Sequence, residues 1–276
     1  MSHKIRGRKD HYLPQGYLRG FIDPTQVKED KPLWCFQVPC RKWKRCSTAE
    51  VGFIRGFYDY SEQVDASIQT ADQAFAELER NFALVLKELL ASQFSNWLDH
   101  REFLLRYMQM IRARSPLYFE QKHAAANSAQ AYVIEEISED RKKLKIRPTQ
   151  LPNAFIKNRS LTEMKEEIQK GVDWLNNFDW ALRYCDSPQD PFLTSDGPFV
   201  VTGPLEGQDK QVSWDALRHP ATLFYFPLCR QACIVGSPRL FDIKTDRVHP
   251  TLLQRVRDMY MEKAKDYVIS PIRLGD

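Results

Sequence analysis

The stretch Thr70-Ala71-Asp72-Gln73-Ala74-Phe75-Ala76-Glu77-Leu78-Glu79-Arg80-Asn81-Phe82-Ala83-Leu84-Val85-Leu86-Lys87-Glu88-Leu89 decides the reading of the fold. Thr70 followed three residues later by Gln73 is a capping box, in which side chains satisfy the first orphan N–H groups of a helix. Phe75, Leu78, Phe82, Val85, Leu86 and Leu89 then recur at helical spacing, so one face of the helix is apolar. Ser95 and Asn96 interrupt it. A second helix is expected from Trp97 to Arg114, with Leu104, Tyr107, Met108 and Ile111 facing the core. The connection is short, which makes the two helices an antiparallel pair. Residues 118–139 read as a third helix, ending near the basic segment Arg141–Arg147. Ser160-Leu161-Thr162-Glu163 is a second capping box, opening a fourth helix to Asn177.

Outward from this helical middle the pattern becomes β. Toward the C-terminus, Asp179–Tyr184, Phe199–Thr202, Thr222–Pro227 and Gln231–Val235 are short apolar runs bounded by turn residues. Pro250 starts a last helix to Lys265, and Tyr267–Ser270 reads as a terminal strand. Toward the N-terminus, residues 22–66 mix short apolar stretches with Pro24, Pro32 and Pro39, as strands or irregular loops do. Leu13 is extended because a proline follows it, and Pro14 opens a short helix in which Gln15 and Arg19 share a face. The expected fold class is α+β: a central helical bundle with short, largely antiparallel strands from the N- and C-terminal segments. Residues 1–10 read as a mobile basic tail and 11–276 as one domain.

Composition bounds the function. No window approaches the roughly 18 apolar residues of a membrane span, and the basic start MSHKIRGRKDHY lacks the apolar stretch of a secretory signal. The expectation is a soluble cytoplasmic protein with no membrane partner. Six cysteines (Cys35, Cys40, Cys46, Cys185, Cys229, Cys233) form no C-x₂-C pair and fit reduced thiols of that compartment. A zinc cluster of Cys35, Cys40 and Cys46 completed by a histidine is the alternative. Net charge is +4 but uneven: residues 1–55 carry +7 and the remainder −3. The run Arg41-Lys42-Trp43-Lys44-Arg45 sets an indole among cations, a combination that suits a polyanion such as nucleic acid, with a solvated surface as the plain alternative.

Among polar residues Glu79 stands out. It borders the apolar stripe, whereas Glu77 and Glu88 point away from it, and a carboxylate beside a core needs a partner. On the second helix Arg112 and Arg114 return to its level, and Arg114 is the choice because it lies toward Tyr107 and Ile111. The pair reads either as a structural tie or as part of a site. His100, between Trp97 and Leu104, reads as a hydrogen-bonded core residue. Thr194-Ser195-Asp196-Gly197-Pro198 is turn chemistry. There is no P-loop, nucleophile elbow, H-E-x-x-H or dinucleotide fingerprint.

Taken together, His11-Tyr12-Leu13-Pro14-Gln15 and Tyr17-Leu18-Arg19-Gly20-Phe21 resemble the opening signature of the family catalogued as domain of unknown function 4238. Ala76-Glu77-Leu78-Glu79 and Arg114-Ser115-Pro116 resemble its middle segments. Phe192-Leu193-Thr194-Ser195-Asp196-Gly197-Pro198, followed by Phe226-Pro227-Leu228, resembles its second signature. The resemblance covers essentially the whole chain. Gly16 stands where the family usually has an aromatic, and Gly197 where it has asparagine. The family implies no activity, but it implies that His11, Gln15, Arg19, Glu79, Arg114 and Asp196 occupy motif positions.

Three functions follow as expectations. The first is a nuclease-like, metal-assisted hydrolase acting on nucleic acid, in antiviral defence or as a toxin. In it Glu79 and Asp196 hold a divalent cation such as Mg, and His11 acts as base or ligand. Arg19 and Arg114 with Gln15 hold phosphate, and Arg41, Lys42, Lys44 and Arg45 guide the polymer. The second is a non-catalytic nucleic-acid or protein interaction module whose signature residues form a structural network. The third is an enzyme acting on a small anionic metabolite.

Overall fold

The structure is a computed structural model that describes residues 9–57, 71–120, 131–137, 144–149, 166–203, 219–239 and 245–274. The cap residues Thr70 and Ser160, and the basic residues 1–8, lie outside these. The elements begin with β1 (Lys9–His11), α1 (Gln15–Arg19), β2 (Leu33–Gln37), β3 (Lys42–Cys46) and β4 (Phe53–Arg55). Helix α2 (Ala71–Ala91) leads through a 3₁₀ turn at Trp97–His100 into α3 (Arg101–Arg114). Strands β5 (Ala131–Ile137) and β6 (Leu144–Thr149) precede α4, a helix covering residues 166–175. Then follow β7 (Asp179–Tyr184), β8 (Thr194–Ser195), β9 (Val200–Thr202), β10 (Leu223–Cys229), β11 (Ala232–Ser237), β12 (Thr245–Arg247), α5 (Pro250–Lys263) and β13 (Tyr267–Ser270).

Two sheets organise the chain. One has the order β12-β7-β11-β10-β9, antiparallel except for the parallel pair β12–β7; the other, β3-β2-β13-β8, is antiparallel throughout. The pairs β1–β4 and β5–β6 stand apart from them. The fold is mixed α and β as expected, but the expected central helical bundle is not what organises it. The reason is visible in β10 and β11. Phe224, Phe226, Leu228, Ala232 and Ile234 join the core beneath α1, α2 and α3, while Tyr225, Cys233 and Val235 join a second core with Val256, Met259 and Tyr260 of α5. A sheet covered on both faces is the middle layer, and its strands lose the apolar–polar alternation that marks a half-exposed sheet.

Two local expectations are corrected. Residues 116–120 are helical, but Ala131–Ile137 form a strand paired antiparallel to Leu144–Thr149, so the third helix does not run to residue 139 and the basic segment at 141–147 enters β6. Tyr132, Val133, Ile134 and Ile137 are β-formers, and their partner lies across a connection that helical periodicity cannot anticipate. Lys9 and Asp10, read as the end of a tail, belong to β1, where Asp10 pairs opposite Ile54 and is buried.

Candidate functional site

Helix α1 has five residues, too few to stand by itself in water, so it is held by what it packs against. Tyr17 and Leu18 are fully buried. The Tyr17 ring lies among Phe21, Phe82, Tyr107 and Phe226. Its hydroxyl donates to the Pro227 carbonyl at 2.8 Å and shares a hydrogen bond with Thr194 Oγ1 at 2.9 Å. One phenol therefore ties the opening signature to both parts of the second signature. Burial pushes the Tyr17 pKa well up, so the proton needed for this bond stays in place.

Arg114 is 1% exposed. Its guanidinium forms the expected ion pair with Glu79 and also donates to the His11 carbonyl, while lying 5.4 Å from the centre of the Phe75 ring. The Arg–Glu pair selected from helical spacing is thus formed. Arg114 meets His11 through its backbone carbonyl, and the His11 ring packs 5.7 Å from that of Phe53. Tyr107, stacked on Phe82 at 3.9 Å, has its phenol pushed up by burial, with the Glu79 charge adding to the shift.

Asp196 follows β8 and is buried. Its carboxylate accepts from the backbone N–H groups of Lys265 at 3.3 Å and Asp266 at 2.8 Å, and its own N–H donates to the Tyr267 carbonyl. The aspartate fixes the step from α5 into β13. Burial raises its pKa, with the Asp266 charge adding, against the backbone hydrogen bonds that favour the charged form. The Tyr267 hydroxyl bonds that of Tyr12. The turn reading of 194–198 is matched by the Gly197 N–H bonding Ser195 Oγ at 3.2 Å. A Cβ at Gly197 would meet nothing within 4 Å, and one at Gly16 only the Glu79 carbonyl at 3.9 Å, so neither departure from the family pattern is required by space.

The motif residues therefore form a chain of contacts more than a pocket, running from Asp196 through Tyr267 and Tyr12 to His11, Arg114 and Glu79. Gln15 is half-buried and accepts from Thr48 at 3.4 Å, whereas Arg19, in the last turn of α1, is exposed. Glu79 pairs with Arg114 and Asp196 accepts from the N–H groups of Lys265 and Asp266, and among the described residues no group of three or more His, Cys, Asp or Glu side chains is placed to hold a metal. The same applies to the zinc alternative. Cys35 and Cys46 are buried, Cys40 is exposed, and all six thiols are free. His100 bonds Glu88 at 3.2 Å rather than joining the site. Sequence reasoning took Tyr17 as part of the opening signature and assigned no role to Tyr12, Thr194 or Tyr267. The signal for Tyr17 was a phenol on a fully apolar helix face, since a buried hydroxyl needs a partner.

The basic run behaves differently. Arg41 sits in the turn of the β2–β3 hairpin with φ 53°, and Lys42 and Lys44 are exposed on alternate positions of β3. Arg45 donates to Gln26 at 2.6 Å and lies over Trp34, so it is engaged within the fold. A groove of about 430 Å³ lies between β4 and the segment after Pro116, with Phe57 and Phe119 in its wall and Arg55 and Glu120 in its lining; Glu120 is paired with Lys265. No helix among the described residues is long and apolar enough to cross a membrane.

A family model described as "Protein of unknown function (DUF4238)" matches residues 9–271, from β1 to just past β13. No curated protein and no solved structure matches the chain.

Proposed function

The chain belongs to the DUF4238 family, and from that premise we propose that it is a nucleic-acid interaction module whose signature residues build the fold and whose β2–β3 hairpin meets the phosphates. The observation that carries this reading is the contrast in engagement. Glu79, Arg114 and Asp196 are committed to partners inside the protein, whereas Arg41, Lys42 and Lys44 stand in solvent on one hairpin. Cations on an exposed strand release counterions from a phosphate backbone when they bind it, and this drives association without any catalytic group. A metal-assisted hydrolase would need Glu79 and Asp196 turned toward a shared cation, and their hydrogen bonds point them to different elements.

The test is a binding titration of the full chain against a labelled oligonucleotide at 50 and 200 mM salt. The triple variant Arg41→Gln/Lys42→Gln/Lys44→Gln is measured beside it. Wild type should lose affinity steeply between the two salts, and the variant should bind at least tenfold more weakly at the lower salt. Equal affinity of the two proteins sinks the proposal. Cleavage of the oligonucleotide with added Mg²⁺, abolished in Asp196→Asn, would replace it with the hydrolase reading.

A further inference from the structure

We infer that the hairpin takes single-stranded nucleic acid, crossing the free edge of β3 so that a base stacks on Trp43 while phosphates meet Lys42 and Lys44; this rests on the nucleic-acid reading above. The argument begins with register. Trp34 pairs opposite Arg45, Cys35 opposite Lys44, Phe36 opposite Trp43 and Gln37 opposite Lys42. Side chains alternate along a strand, so Lys42 and Lys44 share the face of Cys35, and Trp43 shares the opposite face with Trp34 and Phe36. Among the described residues β3 is the outermost strand of its sheet. Lys42 and Lys44 therefore stand on one side of this edge, and Trp43 stands on the other, beside the Arg45 that is engaged over Trp34.

A duplex is stiff over this scale and cannot fold around a strand edge to reach both faces. A single strand can, because its backbone bends freely and its bases are unstacked and available to aromatic rings. Trp43 is the platform rather than Trp34, because Arg45 lies 5.1 Å from the centre of the Trp34 ring and occupies it. Trp43 is half-buried, and Phe36 props its ring at 5.3 Å with a 54° tilt, which holds the indole in place without covering it completely. A second β-strand from another protein is the competing occupant of a free edge. Lysines on an edge strand oppose such pairing, and the same lysines favour a polyanion.

The experiment compares three probes with the full chain at one salt concentration: a 20-nucleotide thymidine oligomer, a 20-base-pair duplex, and inorganic polyphosphate, which has charge but no bases. Trp43→Leu and Trp43→Phe are measured alongside, with thermal unfolding to establish that each is folded. The thymidine oligomer should bind at least fivefold tighter than the duplex. Trp43→Leu should weaken that binding about fivefold or more, in line with stacking of about 1–3 kcal/mol per base. Polyphosphate binding should stay unchanged in that variant, and Trp43→Phe should recover part of the loss. Equal binding of oligomer and duplex, or an equal loss on all three probes, overturns the single-strand inference and leaves the nucleic-acid reading standing. No binding of any probe overturns both.

Discussion

The junction beneath α1 and the β2–β3 hairpin use the same residue types in opposite ways. At the junction, a guanidinium 1% exposed is closed off by a carboxylate, a backbone carbonyl and an aromatic ring. At the hairpin, Arg41, Lys42 and Lys44 face water, while Arg45 sits beside an indole and an amide. A buried charge must have all its partners supplied by the protein, so substitution there is paid for in stability. A solvated charge contributes little to stability and keeps its field for an incoming ligand. Residue type alone therefore does not identify a site; engagement does.

The largest effect should come from Glu79→Leu. It strands the buried Arg114 without its counter-charge, and chemical denaturation should show a loss of about 3–5 kcal/mol. Arg114→Met should cost less, because the Glu79 side chain is 32% exposed and can turn to water. If Glu79→Leu cost under about 1 kcal/mol, the junction would not differ from the hairpin in kind, and the comparison would break.

Next in size is Tyr17→Phe, which keeps the ring packing but removes the hydroxyl shared by Thr194 and the Pro227 carbonyl. A loss of about 1–3 kcal/mol is expected from the buried acceptor left unpaired. A neutral outcome would mean that the two signatures are joined by ring packing alone.

Asp196→Asn sharpens the comparison through pH. The folded carboxyl has a raised pKa, first by burial. Its contribution to stability is therefore fullest below the ordinary aspartate value of about 3.9 and declines as pH rises through the raised value. Asparagine does not titrate, so the stability of wild type minus that of the variant should shrink as pH climbs from about 4 toward neutrality. Thermal unfolding across that range measures it. A difference that widens with pH would show the N–H groups of Lys265 and Asp266 outweighing burial.

The smallest change in stability should belong to the hairpin triple variant Arg41→Gln/Lys42→Gln/Lys44→Gln. Its unfolding free energy should stay within about 0.5 kcal/mol of wild type for each substituted residue, even as polyanion binding falls. A large loss would place these cations in the architecture after all.

Local elements were legible wherever neighbouring residues alone set the conformation. Strands Asp179–Tyr184 and Tyr267–Ser270 occur at the bounds read from their turn-flanked apolar runs, and Pro250 opens α5. The Glu79–Arg114 pair was legible because both residues lie on helices whose period places them. The partners of Asp196 were not, since two backbone N–H groups about seventy residues downstream leave no side-chain pattern to read. The strand at Ala131–Ile137 was hidden for a related reason, its partner lying beyond a connection of no fixed period.

By itself, then, the sequence determined the faces of α2 and α3, the turn-flanked strands such as Asp179–Tyr184 and Tyr267–Ser270, the uneven charge and the family to which the chain belongs, because each of these is carried by neighbouring residues or by order along the chain. Only the tertiary structure decided which polar groups are spent and which are available. Burial and hydrogen-bond satisfaction depend on segments far apart in sequence: Tyr17 meets Thr194 and Pro227, and Arg114 meets the backbone of His11, only once the chain is folded.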